Sequence, residues 1–405
     1  MEVKTPGERI RRLRTQLGLR QEDLANDEVS KALISMIEKN KRNLTYPVAV
    51  VIANKLNTYF EMIGRKITPE ELMETEAEKA KRELQEDIAH FQELLESDDI
   101  DIKIATPYFE KLMATAKKWN LNHEMMSLIL LRGRLNYLTF QYEEALKDYS
   151  DILPYYIQTE DYYQIARVYN LMGCCNHKLF RMDQALNYYQ KSYNLINENN
   201  FENDKVMLQS LYNLILCNKK LLKYDRAIYY INSFKELQEI DSTNPAFFKY
   251  LSKEIILVEA NIYRDLRNYD KAKKTYDKLL ALKDELDDSI LFLAYENYSL
   301  MYEQQGKIDK ALVYIEQALQ LKDNIEKVYL PVALIVQTRY YLMLNDVERA
   351  IMSLKDGLDL STRFADREKI IDFQSKLLEI YIEQNDFERA CAHLQNIEGF
   401  MRNQG

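Results

Sequence analysis

An alanine recurs through the chain at Ala145, Ala185, Ala227, Ala272, Ala311, Ala350 and Ala390, at intervals of 40, 42, 45, 39, 39 and 40 residues. Three residues before each stands an apolar side chain: Tyr142, Met182, Tyr224, Tyr269, Ile308, Val347 and Phe387. Two before each stands an acid: Glu143, Asp183, Asp225, Asp270, Asp309, Glu348 and Glu388. Acids are 64 of 405 residues, so seven hits at seven positions is far beyond composition. One helical turn after the alanine an apolar residue returns, at Tyr149, Tyr189, Ile231, Tyr276, Ile315, Leu354 and Leu394. A period this short is one supersecondary unit, and such a unit hides its apolar face only by stacking on its neighbours.

The chemistry of the pattern points to helices. The acid suits the first turn of a helix, where free N–H groups and the dipole favour negative charge. The apolar residue before it folds against that turn, and the alanine lets two helices approach closely. Each period is therefore read as a helical hairpin resembling the tetratricopeptide type, longer than its common repeat of about thirty-four residues. Composition agrees: 9 Gly and 7 Pro stand where average usage implies roughly 49 together. The expected fold is all-α, an N-terminal helix-turn-helix domain followed by a right-handed superhelical solenoid with a concave inner wall. The expected domains are a head over 1–66, a connecting region over 67–105, and about seven clear hairpins over 106–405. Thr68-Pro69-Glu70-Glu71 marks a helix start, and the charged stretch from Glu70 to Ser97 reads as one connecting helix running into an irregular first hairpin.

Charge divides the chain the same way. Residues 1–66 carry 13 Lys/Arg against 8 Asp/Glu, while the rest carries 42 against 56, within a net charge of −9. A basic head on an acidic body implies nucleic acid at the head and some other partner at the body. Four cysteines without regular spacing, two of them adjacent (Cys174 and Cys175), exclude a disulfide framework. With no apolar run of eighteen and no opening signal peptide, a reduced, cytoplasmic protein away from membranes is expected. His90, His123, His177 and His393 are scattered, and no Cys-x-x-Cys or glycine-rich phosphate loop occurs, so no enzyme, metal or cofactor is expected.

In the head, Ile10, Leu13 and Leu17 form one face of a first helix that Gly18 ends. Gln21 to Ala25 make a short second helix. Ser30 to Lys39 make a third, with Leu33 or Ile34 and Ile37 turned inward, and Val48 to Leu56 a fourth. With its landmarks Gln21-Glu22-Asp23-Leu24-Ala25, Ile34-Ser35-Met36-Ile37-Glu38 and Lys41-Arg42-Asn43, the segment resembles the Cro/repressor (XRE) DNA-binding domain. The resemblance implies that the third helix enters the major groove, with Ser30 at its start and Lys31, Ala32, Ser35 and Met36 facing the bases. Lys31 then donates to guanine, and Ala32 or Met36 touches a thymine methyl. Gln21, Lys39, Lys41 and Arg42 match positions that hold phosphate.

A repressor-like head followed by forty-residue hairpins resembles the RRNPP family of peptide-sensing regulators of Gram-positive bacteria, nearest to its PlcR/NprR branch, in which the turn between Leu24-Ala25 and Ile34-Ser35 is similarly one residue short. The resemblance implies a cytoplasmic quorum-sensing transcription regulator that binds double-stranded DNA as a homodimer and is switched by a short imported peptide. Alternatives are a repeat adaptor that sequesters a protein such as a response regulator, in the manner of Rap, or a phage or mobile-element regulator of the same build.

In such hairpins the first helix lines the groove, and positions fifteen, eleven and eight before the alanine share a face. These offsets, with a near neighbour at fourteen, place Arg134, Tyr137, Asn170, Cys174, His177, Tyr212, Asn213, Lys219, Asn261, Arg264 and Asn297 at a candidate peptide site. Asparagine is a mediocre helix former, but its amide both donates and accepts, which suits clamping a peptide main chain. The family resemblance assigns that role to Asn170 and Asn213. An individual asparagine capping a turn or facing water is the competing reading. His177, Lys219 and Arg264 are candidates for holding a peptide carboxylate, with a solvated face as the alternative.

Overall fold

The computed structural model describes residues 5–61, 64–97, 101–201, 205–237 and 245–402, with the side chains of 400–402 left aside. All regular elements among them are helical. The chain forms two units, Met1–Arg181 and Met182–Gly405.

The first unit begins with the head: α1 (Pro6–Gln16), a single 3-10 turn (Gln21–Leu24), α2 (Lys31–Glu38), α3 (Tyr46–Phe60) and α4 (Pro69–Met73). Local chemistry sets the starts. Thr5, Ser30 and Thr68 accept from the N–H groups of Glu8, Leu33 and Glu71, each satisfying a free donor in a first turn. Ile10, Leu13, Leu24, Val29, Ile34, Ile37, Ile52 and Leu56 close the core, and of the pair Leu33 and Ile34 it is Ile34 that is buried.

That core extends past residue 66, because Ile67 and Leu72 are buried in it as well. Asn57 anchors the extension, donating to the Ile67 carbonyl at 2.8 Å and accepting from its N–H at 2.7 Å. The single connecting helix expected over 70–97 is corrected to two. α4 ends at Met73, Glu74 takes an extended ψ of 128°, and α5 (Glu76–Leu94) starts afresh. Thr75 and Glu78 form a reciprocal capping box at the new start, which offers the backbone a helix origin without any Gly or Pro. α5 and α6 (Ile102–Lys118) form the irregular first hairpin, followed by α7 (Asn122–Leu138), α8 (Tyr142–Gln158) and α9 (Tyr162–Lys178).

The second unit comprises α10 (Met182–Glu198), α11 (Lys205–Lys220), α12 (Tyr224–Leu237), α13 (Pro245–Asp265), α14 (Tyr269–Leu280), α15 (Asp288–Gln304), α16 (Ile308–Leu319), α17 (Leu330–Met343), α18 (Val347–Arg363), α19 (Arg367–Glu383) and α20 (Phe387–Arg402). The seven even-numbered helices from α8 to α20 each begin at the apolar residue three before the recurring alanine. The alanines are buried, from 0% to 4% exposed, so their methyls sit where a longer side chain has no room. The residues one turn on are buried as well, except Leu394 in α20 at 44%.

The residue five before each alanine lies in the left-handed region: Phe140, Phe180, Leu222, Arg267, Gly306, Asn345 and Asn385, with φ between 56° and 69°. Each closes a Schellman turn. Leu222 N–H bonds to the Lys219 carbonyl at 3.0 Å and Lys223 N–H to the Asn218 carbonyl at 2.8 Å, and the other six repeat the pattern. Only Gly306 adopts this backbone without a Cβ cost. Leu222 is 69% exposed, so its side chain gives little packing in return. Leu222→Gly is expected to stabilise the protein by about 1 kcal/mol, because relief of left-handed strain exceeds the extra unfolded-state entropy of glycine. Thermal melting checks this, and an unchanged or lower midpoint contradicts it.

Candidate functional site

The side of α2 that faces away from the head core is built by what holds the other side down. Ile34, Ile37 and Glu38 point inward, leaving Lys31, Ala32, Met36 and Lys39 exposed and Ser35 half-exposed. Lys41 and Arg42 continue the exposed basic surface beyond the helix. Glu38 is the buried peg: its side chain is 2% exposed and takes Arg14 Nε at 2.7 Å and Nη2 at 3.0 Å. Arg14 also donates to the Leu19 carbonyl at 2.6 Å, so α1, the turn after it and α2 share one charged knot. The hydrogen bond that Arg14 donates to Glu38 is the largest cause holding the Arg14 guanidinium above its ordinary pKa.

Gln21, expected at phosphate, donates to Glu38 Oε2 at 2.7 Å, so its amide is committed to the same knot. Ser30 is the cap of α2, its hydroxyl facing the Leu33 N–H at 3.2 Å. Lys31 lies on the open face and is paired with Glu22 at 3.0 Å. That pairing, with a smaller contribution from Arg20, holds the Glu22 carboxyl below the usual range. A guanine or phosphate that takes Lys31 therefore competes with an exposed carboxylate.

In the repeats of the first unit, Arg134 and Tyr137 stand on α7, and Asn170, Cys174 and His177 on α9. Burial pushes the Tyr137 phenol up, with Cys174 and then Cys175 adding to it, which brings the Tyr137 and Cys174 offsets together. Arg134 points its Nε at the Leu95 carbonyl at 3.4 Å. Asn170 is 4% exposed, so its amide lies among packed side chains rather than on an open wall.

In the second unit α11 packs beside α13 and α13 beside α15, so the first helices form a continuous wall. Lys219 on α11 lies within electrostatic reach of Arg264 on α13, and Arg264 meets Asn297 on α15. Arg264 donates through Nη1 to Asn297 Oδ1 at 2.7 Å and through Nε and Nη2 to Asp265 Oδ1 at 3.0 and 2.8 Å. Asn297 Nδ2 in turn donates to the Leu293 carbonyl at 2.7 Å. The Asn261 oxygen accepts from buried Tyr276 at 2.5 Å, and the Tyr212 hydroxyl donates to Glu254 on α13. Asn261, Asn297 and Tyr212 thus spend hydrogen bonds inside the protein, which offset counting does not reveal. Asp265, which the offsets do not mark, and Glu296, which stands at an offset of fifteen, belong to the same electrostatic cluster. Among the described residues no group of His, Cys, Asp and Glu is placed to hold a metal, and no helix is long and apolar enough to cross a membrane.

These features define a basic helix-turn-helix head ahead of helical-hairpin repeats. The Helix-turn-helix family matches residues 10–63, and the Tetratricopeptide repeat family matches residues 124–198 and 256–324. Head and body thus stand in the order of a helix-turn-helix domain followed by tetratricopeptide-type repeats. Solved structures of similar fold include the apo form of RapI, at 13% identity and TM-score 0.50, covering 69% of this chain and 99% of that one. NprR in complex with its cognate peptide NprX aligns at 16% identity and TM-score 0.47, over 80% and 89% of the two chains. Bacillus thuringiensis PlcR in complex with the peptide PapR7 and DNA aligns at 15% identity and TM-score 0.36, over 90% and 98%. At these identities the likeness is one of fold. A search of curated proteins finds no match.

Proposed function

We propose that this chain is a cytoplasmic transcription regulator that binds duplex DNA through α2 and is switched by a short peptide held on the first helices of its repeats. The observation that carries the reading is the outward face of α2. Lys31, Ala32, Ser35 and Met36 point away from a core pinned by Ile34, Ile37 and Glu38, with Lys39, Lys41 and Arg42 beside them. A single head of this size buries little duplex surface, so the regulator acts as a homodimer on two half-sites. Asn213 on α11 is the proposed clamp on the peptide main chain, and Asn170, buried among packed side chains, drops out of that role. A switch needs a connection from body to head, and Arg9 supplies one: it donates to the carbonyls of Glu71 and Glu74 and pairs with Glu76 at 3.2 Å, joining α1 to the start of α5. Peptide that favours one arrangement of the hairpins then changes the presentation of α2 by differential binding to two states.

The test starts from duplexes selected out of a random pool by the purified chain. Lys41→Ala with Arg42→Ala is expected to weaken every selected sequence alike and to lower the slope of log K against log salt by about two, one for each phosphate no longer neutralised. An unchanged slope removes both residues from the DNA interface. A chain that selects no duplex overturns the DNA-binding part.

A second reading, an adaptor that captures a folded protein, is favoured by Phe140 and Phe180, which are 79% and 80% exposed at successive hairpin turns. Capture of a folded partner that disappears on Phe140→Ser and Phe180→Ser, by a chain that selects no duplex, distinguishes it.

A further inference from the structure

The wall of α11, α13 and α15 carries two ionisable side chains that the protein itself leaves unmatched. Lys219 and Glu296 are both half-buried, and among the described residues neither charged group has an ion-pair or hydrogen-bond partner. They occupy the offsets of eight and fifteen before their alanines, on the face where first helices line the wall. Between them Arg264, its side chain 11% exposed, is already matched by Asp265 and Asn297. Burial pulls the Lys219 ammonium below its ordinary range, offset in part by Asp265, and pushes the Glu296 carboxyl up, offset in part by Arg264. A partly desolvated charge whose nearest opposite charge is already paired elsewhere is unfavourable in the free protein, and a ligand that brings a direct counter-charge recovers that energy.

Spacing sets the ligand's length. Neighbouring packed helices lie roughly 8–10 Å apart, so α11 and α15, with α13 between them, are separated by about 16–20 Å. An extended chain advances about 3.3 Å per residue, so five or six residues bridge the two charges.

We propose that this wall selects an extended peptide bearing one carboxylate and one cation about six residues apart, the carboxylate meeting Lys219 and the cation meeting Glu296. The proposal rests on the peptide-binding reading above and adds the ligand's charge pattern to it. The carboxylate and cation come either from Asp/Glu and Lys/Arg side chains or from the two ends of a short peptide.

The test uses the full chain and pools of synthetic heptapeptides, with affinity read by fluorescence polarisation. One pool has blocked ends with Asp first and Lys last, a second has the reverse order, a third has neutral residues and free ends, and a fourth is neutral with blocked ends. At least one charged or free-ended pool is expected to bind tenfold or more tighter than the neutral blocked pool. Preference for a side-chain-charged pool identifies side chains as the source; preference for the free-ended pool identifies the termini. Lys219→Met and Glu296→Gln are each expected to erase the preference. The double reversal Lys219→Glu with Glu296→Lys is expected to favour the opposite order of charges. Lys219→Met is also expected to melt no lower than the parent, since it removes a charge with no partner; a lower melting point identifies a structural role and overturns the proposal. Equal binding of all four pools overturns the charge assignment and leaves the peptide reading standing. Binding of none overturns both.

Discussion

Gly7→Ala is expected to destabilise the head by about 3 kcal/mol and so to speed exchange of its globally protected amides roughly a hundredfold. A Cβ on Gly7 would lie 1.9 Å from the Ile37 carbonyl oxygen, 2.8 Å from its carbonyl carbon and 2.9 Å from Asn40 Oδ1. The obstruction is backbone in the last turn of α2, so no side-chain rotation relieves it. Moving it drags Ile37, which is 2% exposed, and with it the inward face of the helix that presents Lys31 and Met36. Against this, alanine in a helix is favoured over glycine by only about 1 kcal/mol. Overpacking a core costs about 1–3 kcal/mol and more where backbone must shift, so a net loss of about 3 kcal/mol is expected. A head of this size has a total stability of about 4–10 kcal/mol. Amide exchange over 6–60 in the full chain is the measurement. Gly399→Ala is the control: glycine there lies in α20 with nothing within 4 Å of an added Cβ, and the change is expected to stabilise by up to about 1 kcal/mol. Parent-like exchange in Gly7→Ala contradicts the close approach of α1 and α2.

The helix starts of the body were legible because one local pattern encodes them. An apolar residue, an acid and an alanine in fixed order meet three separate demands of a second helix, and all seven helices begin at the apolar residue. The turns between helices were not legible. Phe140, Phe180, Leu222 and Arg267 carry left-handed backbone where glycine or asparagine is the usual signal, because the Schellman hydrogen bonds and the packing of the helices around them hold the geometry. The break at Glu74 was hidden for a related reason. No Gly or Pro marks it, and the signal that does, Thr75 with Glu78, competes with a charged stretch that reads as continuous helix.

The site divides similarly. The faces of helices follow from spacing, so the exposure of Lys31, Ala32 and Met36 and the approach of Lys219 and Asn297 to Arg264 have a sequence basis. Which amide is already spent depends on other helices. Tyr276 reaches Asn261 from α14, Arg264 reaches Asn297 from α13, and Glu38 takes Gln21 across the head. Such partners lie 15 to 33 residues away, beyond what one helical period reports. Glu38 was visible as a landmark of the head, but the reason for a carboxylate there emerges only when Arg14 is placed against it.

That placement gives Glu38→Ala an expected cost of about 3–5 kcal/mol, since removing one partner of a buried ion pair leaves the other charge desolvated and alone. The side chains of Arg14 and Glu38 are 12% and 2% exposed, so water does not replace the missing carboxylate well. Gln21 loses its acceptor in the same step. Most of the head's stability disappears, and α2 loses the tether that fixes it against α1 and the turn after it. Fast amide exchange through 6–38 and loss of duplex binding are expected, while helices of the second unit keep their protection. Glu38→Gln is expected to fall between parent and Glu38→Ala, because a neutral amide still accepts from Arg14 but gives up the charge. Replacing both partners with apolar residues, Arg14→Met with Glu38→Leu, is expected to recover most of the stability, since no uncompensated charge remains. It is not expected to recover full DNA affinity, because the bidentate pair also sets the angle at which α2 leaves the core. If Glu38→Ala exchanges within about 1 kcal/mol of the parent, the knot is a surface-like pair of little consequence. The orientation of the DNA-facing side of α2 then rests on Ile34 and Ile37 alone.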